Sequence, residues 1–251
     1  MARVQELLAE LTPELGQVQA RSHAWVCNMC LGPTNVDFEC CFACAKILKN
    51  GAPNAFADAV IPATVATNPG LWFNRLSTYK VSYPSYRAHV AALAWSFIEL
   101  HEERLAAMAG GAIGVVTPVP SKRGRSYMEQ PLRQALSAVR PIRDRMADTL
   151  QFVPAPDINW RRDYYPQCFD GGPDSVAGQH VLLIEDSWVT GATALAAAGA
   201  LIGLGARGVA ILALARVIDV SFWQGREHPY LERVSADSAS REPFDITRWT
   251  R

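Results

Sequence analysis

The chain has 251 residues, enough for one large domain or a domain with an appendage, and its 49% hydrophobic and 19% charged content is that of an ordinary globular protein. Lys plus Arg and Asp plus Glu both number 24, so no global field draws the chain to nucleic acid or an acidic membrane, and any basic site must be local. No apolar run of about 18 residues offers a membrane span, and the N-terminus shows no secretory leader, so a cytoplasmic location is the expectation.

Val4, Leu7, Leu8, Leu11 and Leu15 recur at helical spacing, which predicts an amphipathic helix within residues 1–24, interrupted near Pro13. Five of the 6 cysteines then fall between residues 27 and 44. In a reducing compartment such crowding points to a metal rather than to disulfides. Cys27 and Cys30 form one CxxC pair and Cys41 and Cys44 a second. Each pair aims two thiolates at one ion, the requirement of a tetrahedral zinc site. Cys40 offers a competing register for Cys41. A ribbon over residues 25–50 is too small for a core of its own, so the metal supplies its folding energy. Lys46 is the only basic residue between 25 and 48, which argues against direct nucleic-acid binding by this module.

Residues 51–70 are rich in turn formers, with a strand expected over 57–65. A long helix follows over 86–109, burying Ala91, Ala92, Trp95, Ile98 and Leu105 and leaving His89 and His101 at its surface or boundary. The apolar strand from Ile113 ends in Pro118-Val119-Pro120, and a loop carrying Ser121, Lys122, Arg123 and Arg125 comes next. Cations around Gly124 at a strand end make a pyrophosphate cradle, because guanidinium forks match phosphate oxygens in pairs; the alternative is a solvated basic loop. A helix over 135–139 is ended by Pro141. Residues 149–178 are loop-rich; Arg161, Arg162, Asp163, Tyr164 and Tyr165 are candidates for a hood over a substrate, in competition with a plain linker. Cys168 reads as a small semi-buried residue, 209–215 as another strand, and the polar tail from 223 onward has no readable role.

The most informative stretch runs from His180 to Thr193. Four apolar residues, Val181 to Ile184, lead into Glu185 and Asp186, then Ser187-Trp188-Val189-Thr190-Gly191-Ala192-Thr193, then an Ala-rich helix over 194–204. That order reads as a buried parallel strand, an acid pair at its carboxyl end, a loop and a helix. Backbone N–H groups converging at the helix N-terminus attract an anion, Gly191 permits a tight approach, and the hydroxyls of Thr190 and Thr193 donate to phosphate oxygens. Carboxylates only accept hydrogen bonds, which suits neighbouring ribose hydroxyls or a water shell around magnesium.

This strand and loop resemble the phosphoribosyl pyrophosphate (PRPP) loop of type I phosphoribosyltransferases. The pattern departs at Ser187 and Trp188, where the family has aliphatics, and at Val189, where it has Thr. Together with the double CxxC, a Tyr-Lys before the long helix, the Val-Pro turn followed by Arg-Gly, and Ala-Leu-Ala-Arg at 213–216, the order of motifs over residues 25–218 is similar to the ComF family of phosphoribosyltransferases. The loop after Pro120 reads Arg-Gly-Arg-Ser-Tyr where that family commonly has Arg-Gly-Phe-Asn-Gln. The resemblance implies an α/β fold with a central parallel sheet of type I phosphoribosyltransferase type flanked by helices. It divides the chain into an N-terminal helix (1–24), a zinc ribbon (25–50), a phosphoribosyltransferase domain (51–220) and a tail (221–251). It also carries over Lys80 and Arg216 as ligand-side residues.

The implied reaction binds PRPP with magnesium and moves the phosphoribosyl group to a nitrogen acceptor, releasing pyrophosphate. Lys122 and Arg123 would neutralise the leaving group with magnesium, Glu185 and Asp186 would hold the ribose, and the amides from Val189 to Thr193 the 5′-phosphate. Zinc would be structural. No general base for the acceptor stands out, and Trp188 is either a stacking platform or a buried aromatic. The rival reading is a regulatory or DNA uptake and processing accessory that binds PRPP without turnover. A glutamine amidotransferase is discounted, because no N-terminal nucleophilic cysteine opens the chain at Met1-Ala2-Arg3. The oligomeric state is not readable, and a homo-oligomer is compatible with everything above.

Overall fold

The computed structural model describes residues 5–7, 23–51, 57–81, 83–122, 126–154, 162–223 and 227–237. Most of the expected N-terminal helix lies outside these residues. At the centre is β6 (His180–Glu185), whose Val181, Leu182, Leu183 and Ile184 are all at most 1% exposed. Successive side chains point to opposite faces, so a strand buried on both sides has to be continuously apolar. It pairs in parallel with β3 (Ile113–Pro118) on one side and β7 (Gly208–Ala213) on the other, and β1 (Ala59–Pro62) adds to the far edge of β7. The resulting order, β1-β7-β6-β3, means that the chain crosses from edge to edge after β1 and then returns strand by strand.

Helices cover both faces. Leu182 and Ile184 share a core with Trp72 and Leu76 of α2 (Leu71–Thr78), with Leu93 and Phe97 of α3 (Arg87–Met108), and with Leu136 of α4 (Pro131–Ser137). Val181 and Leu183 share the other core with Leu195, Ala198 and Leu201 of α6 (Ala192–Gly203). Alanine at so many α6 positions lets this helix lie close to the sheet.

The single strand expected over 57–65 is instead two, β1 and β2 (Val65–Asn68), interrupted at Ala63 and Thr64. Pro62 has no N–H to continue the ladder, and the neighbouring chain breaks at the same level, between β7 and β8 (Arg216–Asp219). Thr64 satisfies the broken ladder: its buried hydroxyl donates to the Leu214 carbonyl at 2.7 Å and accepts from Trp72 Nε1 at 3.1 Å. β2 and β8 then pair in parallel beyond the break.

Helix α3 matches the expected 86–109 within a residue at each end, but His89 is buried at 7%, not at the surface, with its ring against Tyr86 at 5.9 Å. The helix bends at His101, whose φ of −132° is non-helical. Pro141 does not end a helix; it sits in the first turn of α5 (Arg140–Arg143), where a missing N–H costs nothing. Within 149–178, β4 (Leu150–Phe152) and β5 (Phe169–Gly171) form an antiparallel pair, and Cys168 is buried beneath it at 1%.

The cysteine segment is built into this body. Its helix α1 (Phe42–Asn50) places Cys44 and Ile47 in the α6-side core. The tail is also legible in three dimensions: α7 (Pro229–Asp237) buries Tyr230 and Val234, Tyr230 donates to the Leu31 carbonyl at 2.7 Å, and His228 Nε2 lies 3.1 Å from the Thr34 carbonyl. Among the described residues, no helix is long and apolar enough to cross a membrane.

Candidate functional site

Both carboxyl ends of β3 and β6 open into one cleft of about 630 Å³. In open α/β sheets ligands bind beyond the carboxyl ends of the strands, and this cleft occupies that position. Of the residues singled out in sequence, Lys80, Ser121, Lys122, Glu185, Asp186, Ser187, Trp188, Val189, Thr190, Gly191 and Thr193 line it, as does Arg162. Ala192 stands just behind, buried in the first turn of α6. Arg123 and Arg161 lie outside the described residues.

Gly191 sets the shape of the loop. Its φ of +83° is the left-handed region, and a Cβ there would stand 2.1 Å from Trp188 Cζ2. Both facts demand glycine. The N-cap Gly191 has no side chain to offer and Thr190 Oγ1 accepts from Ala192 N–H at 3.3 Å, so the positive end of the α6 dipole meets the cleft with a hydroxyl already at its first turn. Lys122, arriving from the β3 loop, donates to Thr193 Oγ1 at 2.5 Å, and Ser121 N–H donates to the buried Gln130 Oε1 at 3.1 Å. A cation, hydroxyls and helix N–H groups thus face one space, which is the equipment for an anion.

The two acids differ. Asp186 is 3% exposed and fully engaged: Tyr79 donates to Oδ2 at 2.5 Å, Lys80 Nζ lies 2.7 Å from the same oxygen, and Ser187 donates to Oδ1 at 2.8 Å. Burial alone would raise its pKa, but Lys80 and these hydrogen bonds hold it below the usual carboxylate range. Glu185 is half-buried, and desolvation followed by the charge of Asp186 pushes it up to about 8, against the pull of Lys122 and Lys80. The surroundings thus favour the charged form of Asp186 and hold it in place, while burial and that charge favour the protonated form of Glu185 until a cation or a set of hydroxyl donors takes it over.

Trp188 is a buried aromatic at 1% exposure, part of the core that also holds Cys27, Cys30 and Cys44. Its backbone is stitched to β8 and the residue before it: Trp188 N–H donates to the Ala215 carbonyl at 2.8 Å, and the Trp188 carbonyl accepts from Val217 N–H at 2.9 Å. Arg216 does not reach the cleft as a ligand-side residue. It is 7% exposed behind the loop, and its Nη1 donates to the carbonyls of Trp188 at 3.1 Å, Val189 at 2.9 Å and Val217 at 2.6 Å. The hood candidates divide: Arg162 lines the cleft, while Asp163 pairs with Lys46 of the ribbon.

Cys27, Cys30, Cys41 and Cys44 form the second candidate site, with sulfurs all within 4.8 Å of one another. Tetrahedral zinc with Zn–S near 2.3 Å places its sulfurs about 3.8 Å apart, and Cys30 and Cys41 Sγ are separated by 3.8 Å. The four cysteines are thus positioned to bind a metal ion, and Cys41, not Cys40, belongs to the set. The first knuckle turns on Leu31, whose φ of +53° is unusual for a side-chain-bearing residue, and is closed by Cys27 N–H donating to the Gly32 carbonyl at 2.8 Å. Crowding divides the thiols: bonds with Cys30 and its neighbours hold Cys27 far below the ordinary thiol range, and Cys41 and Cys44 are pushed up, chiefly by their bonds to Cys27.

Tyr79, Gln130 and the supporting role of Arg216 were not assigned from sequence. Tyr79 was visible only as the neighbour of Lys80, and Gln130 only as the residue before Pro131, a helix start. No protein-family model matches the chain, and no curated protein matches it.

Proposed function

We propose that the cleft binds PRPP with magnesium and transfers its phosphoribosyl group to a nitrogen acceptor, with release of pyrophosphate, on a sheet of type I phosphoribosyltransferase type. One observation carries the reading: an acid pair at the end of the central strand and a Thr-Gly-Ala-Thr turn at the N-terminus of α6 face the same cleft as Lys122. The turn from Val189 to Thr193 holds the 5′-phosphate, and Glu185 takes the ribose hydroxyls. Lys122 stands where negative charge grows as the C1–O bond to pyrophosphate lengthens, and Lys80 fixes Asp186 beside the ring. Magnesium, when bound with the diphosphate, neutralises further charge on the leaving group. Zinc at the four cysteines is structural in this reading.

A second reading, of an accessory protein that binds PRPP without turnover, is favoured by the engagement of both Asp186 oxygens. Calorimetry with PRPP and magnesium, followed by a pyrophosphate-release screen over bases, amines and ammonia, separates the two. Binding with release supports transfer. Binding without release under every acceptor supports the accessory protein, and failure to bind removes both.

A further inference from the structure

Arg216 occupies a position that the cleft alone does not explain. It is buried, and among the described residues no carboxylate pairs with it. A lone buried guanidinium is costly unless some other negative group compensates it. One edge of the fork faces the cleft loop, through the carbonyls of Trp188 and Val189. The other faces the ribbon: a Cβ on Gly32 would stand 2.5 Å from Arg216 Nε and 2.7 Å from Nη2, so the guanidinium lies directly on the backbone that closes the first cysteine knuckle. Nε has no hydrogen-bond partner there. The group nearby that can supply negative charge is the cysteine cluster, because four thiolates around a divalent ion leave the centre doubly negative.

We propose that Arg216 is a positioning residue joining the two sites: its charge offsets the metal–thiolate centre, its fork holds the Trp188–Val189 turn, and the anion loop is therefore ordered only when the ribbon carries its metal. Trp188 adds a second link, since its side chain lies in the same core as Cys27, Cys30, Cys44 and Ile47. Placing an outer-shell cation beside thiolates lowers their basicity and steadies the centre, and the same side chain cannot move without releasing the loop carbonyls. The coupling holds whatever anion the loop accepts, so it stands or falls separately from the transfer reaction proposed above.

Three variants of the full chain test it, with zinc affinity from chelator competition and amide hydrogen exchange over 188–193 and over 180–185 as the readouts. Stripping zinc from the wild-type chain should speed exchange over 188–193 by at least about tenfold through local opening, while β6 speeds only by the global loss of stability that the same chelation produces. Arg216→Met should weaken zinc roughly 10- to 100-fold and loosen the loop, and stripping zinc from it should then add little. Arg216→Lys keeps the charge but not the fork, so zinc affinity should stay within about threefold of wild type while the loop loosens. Gly32→Ala displaces the guanidinium from the ribbon side and should reproduce the loop effect should Arg216→Met fail to fold. Equal loss of zinc affinity in the Lys and Met variants overturns the charge role. Unchanged loop exchange on zinc removal, or no zinc binding at all, overturns the coupling.

Discussion

The cleft and the cysteine ribbon meet at Trp188 and Arg216, yet they are held by different forces. Around the cleft, the acid pair and the anion loop sit at the end of an apolar strand and at a helix terminus, and the sheet beneath supplies the rigidity: β6 is buried on both faces before Glu185 begins. The ribbon has Ile47 and its own cysteines in the α6-side core and Val26 and Leu31 in the other, too little apolar material to stand alone. Val36, Phe38 and Phe42 are exposed on it, at 64%, 60% and 87%. One site is a consequence of folding, and the other contributes to it.

Removing the metal should therefore have the largest effect. Chelation, or Cys44→Ser, should lower the melting midpoint by about 10 °C or more, equivalent to roughly 4 kcal/mol for a chain of this size. A shift below about 2 °C would show that the ribbon stands on packing alone. Next in size is Gly191→Ala, which meets both a left-handed φ and the Trp188 ring. It should cost about 3 kcal/mol in urea unfolding, from strain and overpacking together, and a neutral result would mean that the loop is not anchored by Trp188.

The acid pair gives a smaller, pH-dependent effect. Because the fold raises Glu185 from 4.5 to about 8, the folded state keeps a proton that the unfolded chain has lost. Stability should fall as pH climbs through that window, by no more than about 1.4 kcal/mol per pH unit, and level off above it. Subtracting the pH profile of Glu185→Gln should isolate this slope; parallel profiles would place Glu185 in water rather than in the cleft wall. Smallest is the surface pair between Lys46 and Asp163, where the lysine side chain is 42% exposed. Lys46→Met should change stability by less than about 0.5 kcal/mol, so a larger loss would mean that this contact, and not the metal, ties the ribbon to the 162–165 segment.

Sequence revealed what depends on local order along the chain. The β6 strand, the acid pair, the Thr-Gly-Ala-Thr turn and the two CxxC knuckles are each contiguous, and their placement follows from local pattern and spacing. It failed where contacts between distant segments decide. Thr64 reads as an ordinary strand residue until Leu214 and Trp72 are beside it, and the break between β1 and β2 exists only because β7 breaks at the same level. Arg216 carried a ligand-like expectation, but its partners lie 27 and 28 residues away, on the reverse side of the loop. His89 looked like a surface residue on periodicity, yet the helix that carries it is buried around most of its girth from Val90 to Ala94.

The central claim is that the turn after β6 grips a phosphorylated sugar. Phosphorus NMR of PRPP titrated with the protein and magnesium addresses it directly, because the 5′-phosphate and the diphosphate give separate resonances. The 5′-phosphate resonance should shift together with the diphosphate, and Gly191→Ala should abolish the 5′-phosphate shift first. Inorganic pyrophosphate competing as well as PRPP, with the 5′-phosphate resonance unmoved, would contradict the account.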